Sequence, residues 1–359
     1  MSLFGFSPLS LLPMKLSNAF RAFFSGILAL FAVSLAAAAA AQSAPASVAP
    51  IKAPAAQTYD PTQPQAGVAA PTASTGTPAK PAPEALRSGD GKAFLWEVKS
   101  KTNVVYLFGT IHVGKRAFYP LSPQVETALK NSQRLVVEAD ISNTGGLADI
   151  DKIINYKTPD SLDKHIPAAL FARLQAQLLR LQIPVDAVKP MKPYLIAGFL
   201  SIAEFSKLGY DMNLGVDSYL IAKARDDNKP VLELESQTGQ LKMLDGMSPM
   251  LQVAFLENAI SVLESGKAPD QVTGMVNAWQ SGDVTLMQEV VKAVNKDMRM
   301  TDQLDDVLLH SRHDEMVKKI AGFLESGVPH FVAVGSLHLV GPRGLVEMLK
   351  ARGFEVKQR

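Results

Sequence analysis

Short apolar runs at the two ends of residues 94–359 restrict this chain more than any other feature. Phe94-Leu95-Trp96-Glu97-Val98, Val104-Val105-Tyr106-Leu107-Phe108 and Arg134-Leu135-Val136-Val137-Glu138 open the region, and His330-Phe331-Val332-Ala333-Val334 and Phe354-Glu355-Val356 close it. Val and Leu runs without alternation read as strands buried on both faces. The polar stretch from Lys99 to Asn103 reads as a turn between the first two. Between the two ends the period is helical: Leu170, Phe171, Leu174, Leu178 and Leu181 form one apolar stripe, and a second apolar helix, Leu195 to Leu208, follows Pro190 and Pro193. One strand interrupts the helices, Pro230-Val231-Leu232-Glu233-Leu234-Glu235. The pattern predicts an α/β fold: a central mixed β-sheet built from both ends of the domain, flanked by helices, with a large helical insertion in the middle.

The sequence has 359 residues, and the first 92 do not share this pattern. Residues 42–92 are Pro, Ala, Thr, Ser and Gln with few large apolar side chains, too few to offset the entropy of ordering, and read as a disordered linker before a domain at 93–359. Residues 1–41 read as a signal peptide. Lys15 and Arg21 supply a positive region, Ala22 through Leu35 an apolar one, and Ala39 and Ala41 a small-x-small cleavage pattern; Met14 makes the more typical start. An uncleaved membrane anchor is the competing reading, but the poly-alanine stretch fits a cleavage region better. Export across the inner membrane to the periplasm, with no stable span after cleavage, is therefore expected. The chain has no cysteine, which excludes disulfides, thiolate metal sites, a cysteine nucleophile and a lipid-bearing cysteine. A formal net charge of +2 gives no reason to expect nucleic acid.

Four features share one position relative to the strands. Gly109-Thr110-Ile111-His112 and Gly335-Ser336-Leu337-His338 each follow a buried strand. Glu138 ends another, with Asp140 beyond it, and Glu235 ends a fourth, with Glu233 before it. Ligands bind outside the carboxyl ends of strands in α/β sheets, so parallel neighbours would bring two imidazoles and at least two carboxylates to one rim. The glycine permits either a sharp turn or a close backbone approach. A neutral imidazole can ligate a metal or act as a base, and a strand-end carboxylate is partly desolvated, a cost that a cation relieves. Two histidines with carboxylates suit Mn, Co or Zn. A single Gly-x-x-His arises by chance, and Glu138 could merely pair with a lysine or arginine. The residue pattern by itself leaves both readings open.

Several blocks resemble one family. Leu95-Trp96-Glu97-Val98, the run Tyr106 to His112, Val136-Val137-Glu138-Ala139-Asp140, Gly215-Val216-Asp217, Leu234-Glu235-Ser236-Gln237, Ala278-Trp279-Gln280-Ser281-Gly282-Asp283 and Val334 to Gly341 are similar, in order, to the blocks of TraB/GumN proteins. The resemblance implies kinship with Tiki-type metalloproteases, in which the paired motifs are taken to build a divalent-metal peptidase site. Carried over, it implies metal ligation by His112, His338 and Glu138. The remaining glutamate, Glu235, would activate water or orient a ligand, although which glutamate does which stays open. Where the family usually has Arg-Asn, this chain has Arg312-His313. Arg312 is expected to bind a substrate carboxylate or oxyanion. His313 could add a ligand in place of the asparagine, but His310 and His313 are one turn apart on an expected helix and read first as an exposed face beside Asp314 and Glu315. Trp96 and Trp279 read as core aromatics, Gly282-Asp283 as a helix break and N-cap, and Met243, Met247 and Met250 as adaptable core.

The expected function is an exported metal-dependent hydrolase, a peptidase, acting on a peptide or small-molecule ligand. The alternative is a non-catalytic periplasmic protein that sequesters a peptide, a signal or a haem-like ligand in the same strand-end pocket.

Overall fold

A computed structural model of the chain describes residues 91–140, 150–296 and 298–359. The readings for the signal peptide and for nearly all of the linker lie outside the described residues. Among those residues a sheet of 6 strands runs in the order β4-β3-β5-β2-β1-β6. Its members are β1 (Leu95–Lys99), β2 (Val104–Thr110), β3 (Arg134–Val137), β4 (Val231–Glu233), β5 (His330–Gly335) and β6 (Glu355–Gln358). β1 pairs antiparallel with β2 and β6, whereas β2, β5, β3 and β4 are mutually parallel. The mixed α/β sheet built from both ends of the domain is thus observed, with β5, the late strand, between the two early ones. Its six residues are all buried, as a strand covered on both faces requires.

The turn between β1 and β2 is where the polar run predicts it. Ser100 Oγ accepts the Asn103 N–H at 3.0 Å, and Asn103 Nδ2 donates to the carbonyls of Phe323 and Val328, tying the hairpin to a late helix. α1 (Pro123–Asn131) joins β2 to β3. The insertion contributes α2 (Ile150–Ile154), α3 (Ala168–Arg180), α4 (Val185–Val188), α5 (Pro193–Lys207) and α6 (Val216–Asp226) before β4. After β4 come α7 (Gln237–Asp245), α8 (Pro249–Ser265), α9 (Ala268–Ser281), α10 (Val284–Asn295), α11 (Thr301–Leu308) and α12 (His313–Glu325); α13 (Leu345–Ala351) links β5 to β6. Leu195, Ile196, Ala197 and Leu200 of α5 and Leu256 and Ile260 of α8 are fully buried, so these two helices form the core of the insertion. Gly282 ends α9 at φ 68°, and Asp283 Oδ1 caps α10 by accepting the Leu286 N–H at 2.9 Å, the break and cap read from the sequence.

Three details differ from expectation. His310 and His313 do not share an α-helical face, because a short 3-10 turn, His310–Arg312, separates α11 from α12. His313 is 1% exposed rather than on a solvated face. Of the three methionines read as core, Met247 is buried but Met250, in the first turn of α8, is 70% exposed. No helix among the described residues is long and apolar enough to cross a membrane.

Candidate functional site

Parallel pairing puts the carboxyl ends of β2, β5, β3 and β4 on one rim. His112 lies just beyond β2, Glu138 directly after β3, Glu235 just beyond β4, and His338 at the end of a 3-10 turn, Ser336–His338, that follows β5. The ladder continues past the ends of β3 and β4, because the Glu235 N–H donates to the Glu138 carbonyl at 2.8 Å. The two glutamates therefore stand side by side.

The glycines serve close approach and not a left-handed turn. Gly335 has φ −50°, open to any residue. A Cβ there, however, would lie 3.1 Å from His112 Nε2, 3.5 Å from Glu138 Oε2 and 3.6 Å from His338 Cδ2. Three expected ligands thus border one small space that only glycine leaves clear. The Gly335 N–H also donates to Glu138 Oε2 at 3.1 Å. At Gly109 a Cβ would meet Phe94 Cδ1 at 2.5 Å and Ser336 Cα at 3.0 Å, so this glycine lets the second motif's turn pack on β2. Trp279 Nε1–H donates to the Gly109 carbonyl at 2.7 Å and holds that strand end.

His112 is oriented from below. Its Nδ1 lies 2.6 Å from Asp217 Oδ2, and Thr110 Oγ1 donates to Asp217 Oδ1 at 2.8 Å. Burial favours the neutral ring, but the Asp217 charge and hydrogen bond outweigh it and raise the His112 pKa above its ordinary value. Asp217 is delivered by the first turn of α6. The start of that helix is pinned to the motif by the Val216 N–H donating to the Ile111 carbonyl, and by Gly215, where a Cβ would lie 2.5 Å from the His112 carbonyl oxygen.

Arg312 joins the carboxylates. Its Nη2 donates to both Glu138 Oε1 and Glu235 Oε2, its Nε to Glu235, and its Nη1 to the Leu308 carbonyl at 2.8 Å. Burial would push the Glu138 carboxyl up, yet the Arg312 guanidinium holds it well below the usual carboxylate range. Gln240 Nε2, one turn into α7, donates to Glu138 Oε1 at 2.8 Å and Glu235 Oε2 at 3.0 Å, so it braces the pair from the other side. The Glu138 side chain is 9% exposed and that of Glu235 is 23% exposed, which makes Glu235 the more accessible of the two. His338 is fully buried. Its Nε2 lies 3.3 Å from Arg312 Nη1 and 3.5 Å from Glu138 Oε2, and its Nδ1 lies 2.8 Å from His313 Nε2. Burial pushes the His313 imidazole down to about 3.

The residue types suit a divalent cation, two imidazoles and a carboxylate, with His112 Nε2 and Glu138 Oε2 bordering the space over Gly335 and His338 meeting it with Cδ2, beside its Nε2. As the side chains stand, no group of three or more His, Asp or Glu among the described residues is gathered as a metal site, and the Arg312 guanidinium lies against the carboxylates. The other carboxylates near the strand ends face elsewhere. Asp140 pairs with Arg225 at 2.9 Å, and Glu233 accepts the Asp140 N–H at 2.6 Å.

A model of the TraB/PrgY/gumN family matches residues 94–358. The chain belongs to that family. Among curated proteins it is similar to YbaP of Escherichia coli, described as uncharacterized, with 28% identity over 68% of this chain and 87% of that one. It is also similar to Metalloprotease TIKI1 of Danio rerio, at 23% identity over 75% of this chain and 63% of that one. Metalloprotease TIKI2 of Xenopus tropicalis matches at 22% identity, with 75% and 60% coverage. The chain thus spans under two thirds of the length of the two metalloproteases. No solved structure matches significantly.

All the family positions read from the sequence, His112, Glu138, Glu235, Arg312 and His338, meet at this rim. Four further members join them, and of these only His313, at the family's Arg-Asn position, had a signal of its own. Thr110 lies inside the first motif, and Asp217 inside a family block, but no pattern pairs the two across more than a hundred residues of chain. Gln240 reads as an ordinary helix residue. His313 is part of the site although its spacing points to a surface. His165 and His330 stay outside: His165 stacks on Tyr156 with ring centroids 4.0 Å apart, and His330 stacks on Phe323 at 4.5 Å.

Proposed function

We propose that this TraB/PrgY/gumN protein is an exported, periplasmic metal-dependent hydrolase that cleaves peptide bonds. The observation that carries the reading is the space over Gly335, bordered by His112 Nε2, Glu138 Oε2 and the His338 ring. The similarity to proteins named metalloproteases supports it. His112, His338 and Glu138 would hold the ion, with Mn, Co and Zn as candidates. When bound, the ion would polarise a scissile carbonyl and acidify a water. Asp217 orients the His112 ring. Glu235, the more exposed carboxylate, is placed to accept a proton at the rim. Arg312 binds substrate: on giving up Glu138 it can turn an N–H to a peptide carbonyl or carboxylate while Glu235 retains its Nε.

A second reading is favoured by Arg312 itself, because a guanidinium already neutralises the paired glutamates. On this reading the chain binds a peptide, signal or haem-like ligand without catalysis. Full-length protein supplied with Mn, Co and Zn should retain about one ion per chain, and His112→Ala and His338→Ala should each lose it while keeping a native circular dichroism spectrum. Failure to retain any of the three ions sinks the hydrolase reading. Incubation with an unlabelled peptide library, read by mass spectrometry, separates the two: new fragments mark the hydrolase, and intact bound peptide marks the binder.

A further inference from the structure

His338 is gripped on both ring nitrogens by consecutive residues. Arg312 Nη1 lies 3.3 Å from its Nε2, and His313 Nε2 lies 2.8 Å from its Nδ1. His313 is itself held, with Nδ1 2.7 Å from the Arg343 carbonyl oxygen. The four groups form one line: guanidinium, imidazole, imidazole, carbonyl.

The two ends of the line fix the protons. A carbonyl only accepts, so His313 Nδ1 carries a hydrogen, and neutral His313 then has its lone pair on Nε2. His338 Nδ1 must donate to that lone pair. A guanidinium only donates, so the His338 Nε2 beside Arg312 must accept and carries no hydrogen. Both ends demand the same direction, and each imidazole meets it with its one N–H and one lone pair. The Glu138 Oε2 at 3.5 Å is farther from His338 Nε2 than the arginine and does not reverse the order.

The fold builds the line from two places. The 3-10 turn His310–Arg312 ends where α12 begins, which sets Arg312 and His313 on either side of the His338 ring. The Arg343 carbonyl comes from the turn before α13, where Gly344 is needed because a Cβ would lie 2.5 Å from the Val340 carbonyl oxygen. All three imidazole contacts are with buried or nearly buried rings, and His313 is 1% exposed.

We propose that His313 is a positioning residue: it holds His338 in the Nδ1–H tautomer, so that Nε2, the nitrogen on the Arg312 and Glu138 side of the ring, is left bare. The value of that tautomer to an incoming ion rests on the hydrolase reading; the tautomer itself does not. An imidazole ligand needs a bare nitrogen directed at its ion, and the partner on its other nitrogen selects which one is bare. His313 performs that selection without touching the rim.

The test is long-range nitrogen–proton correlation of ¹⁵N-histidine-labelled, full-length, metal-free protein, with the His338 signals assigned by their loss in His338→Asn. Wild type should show a protonated Nδ1 and a bare Nε2 at His338. His313→Leu removes the acceptor and should shift His338 to the Nε2–H form or to a mixture. His313→Gln restores an acceptor at the reach of the lost Nε2 and should restore the wild-type pattern. Titration with Zn²⁺ alone should show a 10- to 100-fold weaker affinity for His313→Leu and near wild-type affinity for His313→Gln. A wild-type His338 with a hydrogen on Nε2 overturns the proposal, and so does a His313→Leu protein that keeps the Nδ1–H form. If His313→Leu does not fold, the wild-type spectrum and the His313→Gln variant still decide. A tautomer that switches as described in a protein that binds no Zn²⁺ leaves His313 as a positioning residue and removes only the metal reading.

Discussion

Asp217 decides what His112 can do. It binds Nδ1, leaves Nε2 directed toward Gly335, and raises the affinity of the ring for a proton. Proton and metal compete for the same Nε2, so ion uptake near neutrality displaces a proton. Affinity for Zn²⁺ should therefore rise with pH until the medium passes the raised His112 pKa, and then level off. Asp217→Asn should lower that pKa, shift the plateau to lower pH, and weaken the plateau affinity by about 10- to 100-fold, because the amide orients the ring less firmly. Calorimetric titrations from pH 5.5 to 8.5 read both effects; an unmoved plateau would remove Asp217 from its role. Gly335→Ala gives a complementary outcome. Its Cβ fits only if His112 Nε2, 3.1 Å away, yields slightly, so the fold should persist with about 1 kcal/mol lost while the space for an ion disappears. Urea unfolding and Zn²⁺ titration of the same sample check the two halves. The residues with motif patterns, His112, Glu138, Glu235 and His338, were legible because each sits at a strand end. Asp217 and Gln240 were not, and for His313 only its place at the family's Arg-Asn position pointed to the site. Each acts through a hydrogen bond to a residue from a distant part of the chain, and such bonds leave no period in the sequence.

Elements were legible where burial is one-sided or complete. The stripe of α3 and the Val-rich strands announce themselves, and Pro193 and Pro249 mark the first turns of α5 and α8. α7 did not, because Gln237-Thr238-Gly239-Gln240 is polar and starts directly after a strand; its cap, Ser236 Oγ accepting the Gly239 N–H at 3.1 Å, is the signal that was there. The short 3-10 turn between α11 and α12 lets Arg312 and His313 turn inward onto two sides of one buried ring. Between α10 and α11 the packing carries a testable conflict. Asn295 Nδ2 donates to Asp305 Oδ2 at 3.1 Å, while Asn295 Oδ1 is buried without a partner. Burial, with the charge of Asp302 behind it, pushes the Asp305 carboxyl up to about 6. A raised folded pKa means the fold favours the protonated acid, so this contribution is full below the unfolded value near 4 and is lost as pH rises through about 6. Asp305→Asn should then be more stable than wild type at pH 7.5 by about 1–2 kcal/mol, a figure reduced for solvent screening, and equal to it at pH 4. Urea denaturation at the two pH values measures the difference. A gain independent of pH would assign it to packing instead of charge.

At the scale of the whole molecule, the sheet's membership was legible but its order was not. Local runs show that strands exist at both ends of the domain; they do not show that β5 enters between β2 and β3, since strand order depends on which pairs bury both faces at once. That insertion is what makes the site possible. His112 lies just beyond the strand on one side of β5, Glu138 directly after the strand on the other, and His338 follows β5 itself. An ion held by all three would tie together parts of the chain that are distant in sequence and that separate on unfolding, so it binds the folded state alone. Under the hydrolase reading, Zn²⁺ at a hundredfold excess over its dissociation constant should stabilise the protein by about 2.7 kcal/mol, seen as a rise of roughly 5–10 °C in the thermal midpoint. The gain has to be absent from both His112→Ala and His338→Ala, since each removes a ligand from a different strand. A gain that survives in either variant would show that the ion sits elsewhere, because a rim site built from three neighbouring strands cannot lose one of them and keep its hold on the fold.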